Sequence, residues 1–222
     1  MPDQETSIRD LLLEDLPVRF VTAVVEKAPI AYGNAHSRSY AEPDYEKAEG
    51  DYIFGHNRRI SMEAMVRREA IRAGLRATVE ETDLGHTYSL IRAGRFLLTE
   101  SHVRCKGDIP PAAFFREQHA AVNSLLLNPR LPFAEFDPLL LYTLSEANGI
   151  YGIIIHGSEV DDAKTPAFMR LVFPASDCKS IADFVDLFEL RQEMLARAKA
   201  IAATEIAVDI AMPKVKRKGE DK

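Results

Sequence analysis

Cysteine is nearly absent from the sequence. Cys105 and Cys178 are the two among 222 residues. They follow no metal-ligand spacing and are too few for a disulfide framework, so a reducing compartment is expected. Tryptophan is missing altogether, which excludes nothing. No apolar run approaches the ~20 residues that cross a bilayer. The opening stretch MPDQETSIRDLLLEDL is acidic and lacks the basic region that precedes the apolar part of a secretory signal. The expectation is a soluble cytoplasmic protein. Positive charge is in deficit: 28 Lys and Arg stand against 34 Asp and Glu, a net charge of −6. Such a chain has no global attraction for nucleic acid, so any such contact requires a local basic patch. A glycine-rich phosphate loop, CxxC, HExxH and the GxSxG elbow are all missing, as is any internal repeat.

What is present suits a folded core. Apolar residues make up 46% of the chain, enough to bury a sizeable interior. The length fits a single domain over 1–212, with any subdivision near 128–137. The charged tail PKVKRKGEDK, over 213–222, is expected to be disordered.

Periodicity gives a coarse element order. Ile8, Leu11, Leu12, Leu16, Phe20 and Val24 recur at helical spacing, interrupted by Pro17. One kinked helix or two short ones fit. Residues 31–55, rich in Gly, Ser, Tyr and acids, read as a long loop. Residues 61–74 read as a helix, with Ser61 as N-cap and Gly74 as the stop. The period then shifts towards 2, and 76–82, 86–93 and 95–104 read as an antiparallel meander. Residues 111–127 read as a helix begun by Pro111. Apolar runs at 138–145, 150–156 and 168–173 read as further strands, the middle one buried on both faces. Ser180 and Asp183 resemble a capping box that opens a helix to about residue 200. Residues 205–212 suit either a last strand or a continuation of that helix. The fold class is α+β: a single mixed or largely antiparallel sheet of about six strands, flanked by helices.

Three stretches carry candidate chemistry. In LLTESHVRCKG, Leu97 to Gly107, a strand would place Glu100, His102, Arg104 and Lys106 on one face. The plain expectation is a half-exposed strand with that face in water. The order helix 61–74, three strands, helix, strand is also that of the core of PD-(D/E)xK nucleases. In that comparison Asp83 and Glu100 would hold Mg²⁺, and His102 would stand where the motif has Lys and orient a water. The motif is defective here, because Thr82 precedes Asp83 and His102 replaces Lys.

The second stretch is HNRRISMEAMVRREAIRAGLR, His56 to Arg76, with six Arg against two Glu. Arg68, Arg72 and Arg76 lie four apart, as on one helical face opposite Met62, Val66 and Ala70, and Arg58 and Arg59 lead in. Guanidinium forks suit phosphate and carboxylate. The structural expectation is a solvated face paired with acids. The functional one is contact with nucleic acid or an acidic partner protein, and it makes the chain a binding or accessory protein rather than an enzyme. The nuclease-like phosphodiesterase is the alternative. No cofactor is implied, apart from Mg²⁺ in that alternative. The third stretch is IIIHGSEVDD, where His156 ends a buried strand beside Ser158, Glu159, Asp161 and Asp162. A hydrogen-bonded strand-end histidine is expected there, with a metal site as the sharper reading.

Overall fold

The computed structural model describes residues 7–41, 44, 46–111, 113–125, 149–158, 160 and 163–211, without the side chains of 124, 125 and 204–211. Helix α1 covers Ile8–Asp15. Ser7 caps it reciprocally: its hydroxyl accepts from the Asp10 amide, and the Asp10 carboxylate accepts from the Ser7 amide. Pro17 ends this segment, and α2 runs over Val18–Ser39. Helix α3 covers Lys47–Arg72. The expected loop over 31–55 is therefore helical at both ends, and Ser61 lies in mid-helix. The cause is tertiary. Ala28, Ala31, Tyr32 and Ala35 of α2 are buried in one cluster with Phe54, Met62, Met65 and Val66 of α3, which offsets the polar composition of the surrounding turns.

Gly74, at φ +79°, stops α3, and the chain enters β1 (Arg76–Glu81), β2 (Thr87–Ala93) and β3 (Phe96–His102). These form the expected antiparallel meander. A short helix α4, Phe114–Ala120, continues as a 3-10 turn over Ala121–Leu125. It starts at Phe114, after an extended Ala113, rather than at Pro111. Strand β4 (Ile150–Gly157) pairs parallel to β3, while β5 (Phe168–Pro174) and β6 (Ile181–Asp186) extend the sheet antiparallel. The sheet order is β1-β2-β3-β4-β5-β6. The apparent capping box at Ser180 opens β6 instead of a helix, and α5 covers Leu187–Ala211, so 205–211 is helical. The run 138–145 and the tail lie outside the described residues. The architecture is α+β, with one mixed, mostly antiparallel sheet.

Two apolar clusters define the layers. Phe96 and Leu98 of β3, Ile154 of β4 and Leu171 of β5 face α1, α2, α3 and α5. Leu97, Tyr151, Ile153, Ile155 and Val172 face the other way, toward Ala120 at the end of α4. Strand β3 is therefore covered on both faces, and the expectation of a solvated Glu100/His102 face is overturned. The strand also ends at His102, so Arg104 and Lys106 belong to the exposed turn beyond it.

At the β2–β3 turn, Asp15 accepts from the Arg95 amide at 2.8 Å and from its guanidinium Nε at 2.7 Å. Gly94 sits there at φ +54°, and a Cβ at that position would run into the Asp15 side chain. Gly94→Ala is expected to lower stability by about 1–3 kcal/mol. Gly33→Ala, in the interior of α2 with nothing within 4 Å of a new Cβ, should raise it by about 0.5–1 kcal/mol. Urea unfolding midpoints of the two variants against the natural chain check both signs.

Candidate functional site

The residues that the sequence singles out fall into three environments. The first lies between the sheet and the α2–α3 pair. His156 is fully buried on β4, opposite His102 in the parallel register. Its Nδ1 lies 2.7 Å from the Tyr32 hydroxyl of α2, and its Nε2 bonds the Glu100 carboxylate of β3. The Glu100 side chain is 2% exposed. Both ring nitrogens are thus engaged, Nδ1 by the Tyr32 hydroxyl and Nε2 by the Glu100 carboxylate. Burial pushes the Tyr32 phenol well above its usual range, so it stays protonated. One chain of bonds thus runs from helix to strand to strand.

Two more groups crowd this chain. The His102 ring lies 5.6 Å from that of His156. Its Nε2 is buried with no hydrogen-bond partner among the described residues. Burial, with Arg58 and His156 adding to it, pushes the His102 pKa down to about 3. Arg58 is buried rather than presented to solvent. Its guanidinium lies over Tyr32 at 5.5 Å and over Phe54 at 4.8 Å. It turns inward because α3 begins fourteen residues before Ser61, which sets Arg58 on the face packed against α2. His119, a conceivable neighbour of His102, lies on the opposite face of the sheet, 3.2 Å from the Tyr88 hydroxyl.

The second environment is a cleft of about 90 Å³, with Arg59 and Glu63 of α3, Tyr88 of β2, Glu100 and Ser101 of β3, and Phe115 and Arg116 of α4 in its walls. Glu63 accepts from Ser89 at 3.0 Å and lies 3.7 Å from Arg59. The third is the far end of α3. Glu69 is 3% exposed, and three cations converge on it: Lys27 at 2.7 Å, Arg72 at 2.8 Å and Arg68 at 3.1 Å. Burial alone would raise the Glu69 pKa, but the hydrogen bonds from Lys27 and Arg68 and the charges around them hold it below the usual range. Arg76 does not share the helical face of Arg68 and Arg72. It follows Gly74, exposed on edge strand β1.

Asp83 is exposed in the β1–β2 turn, whereas the Glu100 carboxylate is engaged by His156. Among the described residues, no group of three or more His, Cys, Asp or Glu is arranged to hold a metal ion. Glu159, Asp161 and Asp162 lie outside those residues. No described helix is long and apolar enough to cross a membrane. Sequence reasoning did not reach Tyr32, Glu69 or Arg116. Tyr32 sat in an apparent loop, the burial of Glu69 draws Lys27 from another helix to it, and Arg116 meets Ser101 only because α4 packs back on β3. The fold and these sites define a six-stranded α+β protein with a buried Tyr–His–Glu chain. Compared with protein-family models, curated proteins and solved structures, the chain matches none.

Two outcomes follow. Tyr32→Phe removes the hydrogen-bond partner of a fully buried ring nitrogen and should cost about 1–3 kcal/mol, read by urea unfolding. For His102, the folded pKa lies below the ordinary imidazole value near 6.5. The unfolded chain therefore takes up this proton first as pH falls. The His102 contribution to stability is complete above about 6.5 and declines toward about 3. The melting temperature of His102→Gln should fall less steeply between pH 7 and pH 4.5 than that of the natural chain. Equal slopes would remove His102 from the account.

Proposed function

We propose that this chain is a non-enzymatic binding protein that takes an extended anionic partner, nucleic acid or an acidic protein surface, on the C-terminal end of α3. The supporting observation is the excess of cations around Glu69. Three positive groups share one buried carboxylate, and Arg68 and Arg72 remain 57% and 60% exposed. Arg76 adds a further exposed guanidinium just beyond the helix. Against a net charge of −6, this is a local reversal of sign. Arg59 lies about three turns away along α3, so it serves the cleft rather than this patch. Arg58, being buried, is outside the contact surface.

The alternative is a Mg²⁺-dependent phosphodiesterase with Asp83 and Glu100 as metal ligands and His102 orienting water. It draws support from the order α3-β1-β2-β3-α4-β4, with β4 parallel to β3. Its residues support it less, because Glu100 is engaged by His156 and Asp83 is in an exposed turn. Order alone is analogy, and the binding reading is preferred.

The test replaces Arg68 and Arg72 together by Glu, with Lys27 left to pair Glu69. The natural chain should be retained on heparin in a salt-dependent way, and the double variant should elute earlier. If the partner is nucleic acid, the dependence of log affinity on log salt should lose a slope of about 2. Retention lost without any measurable DNA or RNA affinity in the natural chain would select an acidic protein instead. An unchanged elution position would overturn the proposal.

A further inference from the structure

The ladder between β2 and β3 is short for strands of this length. Only Ile91↔Leu98, Arg92↔Leu97 and Ala93↔Phe96 pair. Beyond Ile91 and Leu98 the two strands are no longer paired with each other. A similar ending occurs between β4 and β5, where the ladder stops at Ile153↔Val172. There the chain supplies its own filling. The buried Asn123 amide donates to the carbonyls of Tyr151 at 2.9 Å and Pro174 at 2.8 Å, and accepts from the Tyr151 amide at 2.9 Å. Between β2 and β3 the space is instead the cleft of about 90 Å³, enough for roughly three waters or one small oxyanion.

Two guanidiniums and two carboxylates stand in the walls of that cleft. Arg59 enters from α3 on one face of the sheet and Arg116 from α4 on the other. Both acids of the cleft are engaged: Glu63 by Ser89 and Arg59, Glu100 by His156. Arg116 donates to the Pro111 carbonyl at 2.6 Å and to the Ser101 hydroxyl at 3.1 Å, with its guanidinium 5.0 Å from the Phe115 ring centre. Both acceptors are neutral. Its Nε is buried without a hydrogen-bond partner, and among the described residues no carboxylate forms an ion pair with it. Burial lowers its pKa, and Tyr151 and Glu100 nearby offset this only in part. Arg116 is half-buried, and a guanidinium held at the wall of a small cleft by neutral acceptors alone keeps donors for an anionic ligand.

We propose that the gap between β2 and β3 is a binding site for a small oxyanion, a phosphoryl or carboxylate group, with Arg116 as its principal ligand and Arg59 opposite. The guanidinium fork, oriented by Pro111 and Ser101, offers charge-assisted bonds to two oxygens. This site is separate from the basic end of α3, and it stands or falls independently of that proposal.

The experiment titrates the full chain with inorganic phosphate, acetate or chloride at matched ionic strength and follows both the melting temperature and the amide NMR spectrum. Phosphate or acetate should raise the melting temperature above the chloride control, increasing with concentration. The amides that move should be those of Tyr88, Ser89, Glu100 and Ser101. A larger effect of phosphate than of acetate assigns a phosphoryl ligand, and the reverse assigns a carboxylate. Arg116→Gln should weaken the affinity by about tenfold or more, while Arg68→Glu with Arg72→Glu leaves it unchanged. The NMR arm needs no variant, so a poorly folding Arg116→Gln does not blunt the test. The proposal is overturned if neither anion acts beyond chloride, if the moving amides lie around Arg68 and Arg72, or if Arg116→Gln binds as the natural chain does.

Discussion

The parallel pairing of β3 with β4 is the constraint on which the rest of this structure depends. Parallel neighbours require a crossover, and they are normally covered on both faces. The chain meets this requirement asymmetrically. Helices α1, α2, α3 and α5 cover one face, and the short α4 with its 3-10 turn lies over the other. Once both faces of β3 are covered, its polar residues cannot remain in water. Glu100 and His102 lie under the α2–α3 pair, beside His156 brought in register by β4. The Tyr32–His156–Glu100 chain is the consequence: it satisfies groups that would otherwise be costly to bury.

The same logic orders the charges elsewhere. Each carboxylate drawn into the protein gathers partners. Glu69 takes Lys27, Arg68 and Arg72; Asp15 takes Arg95 and fixes the β2–β3 turn against α1; Glu63 takes Ser89 and Arg59. In these groups the acid is the more buried member and the cations reach outward, as long basic side chains do when they keep their heads near solvent. Arg116 reverses the pattern. It is a cation drawn inward with neutral acceptors only, and it lies where the sheet itself is incomplete.

Much of the fold was legible in the chain. The change of period at Arg76, the turns at Asp83–Gly85 and Gly94, and the unbroken apolar run of β4 all follow from local chemistry. So does the break at Pro17, where a missing N–H ends a helix whatever surrounds it. The errors share one cause. Residues 31–39 and 47–55 look like loop because Gly, Ser, Tyr and acids dominate, yet Ala31, Tyr32, Ala35 and Phe54 bury against one another. Residues 181–186 look like a helix start because Ser180 and Asp183 imitate a cap, yet pairing with β5 makes them a strand. In both places packing between segments distant in sequence outweighs the local preference.

For the sites, the sequence supplied the residue types and little else. It determined that basic charge concentrates between His56 and Arg76, that Glu100 and His102 share one face of a strand, and that His156 closes a buried run. Spacing along a chain fixes such relations, because the helical and extended repeats are set by the backbone itself. Only the tertiary structure decided that Arg58 turns inward, that Lys27 meets Glu69, that Glu100 reaches His156 and not Asp83, and that Arg116 remains without an acid. Those outcomes depend on which elements face each other across the core and on how far each charge is withdrawn from water. No local periodicity encodes either quantity.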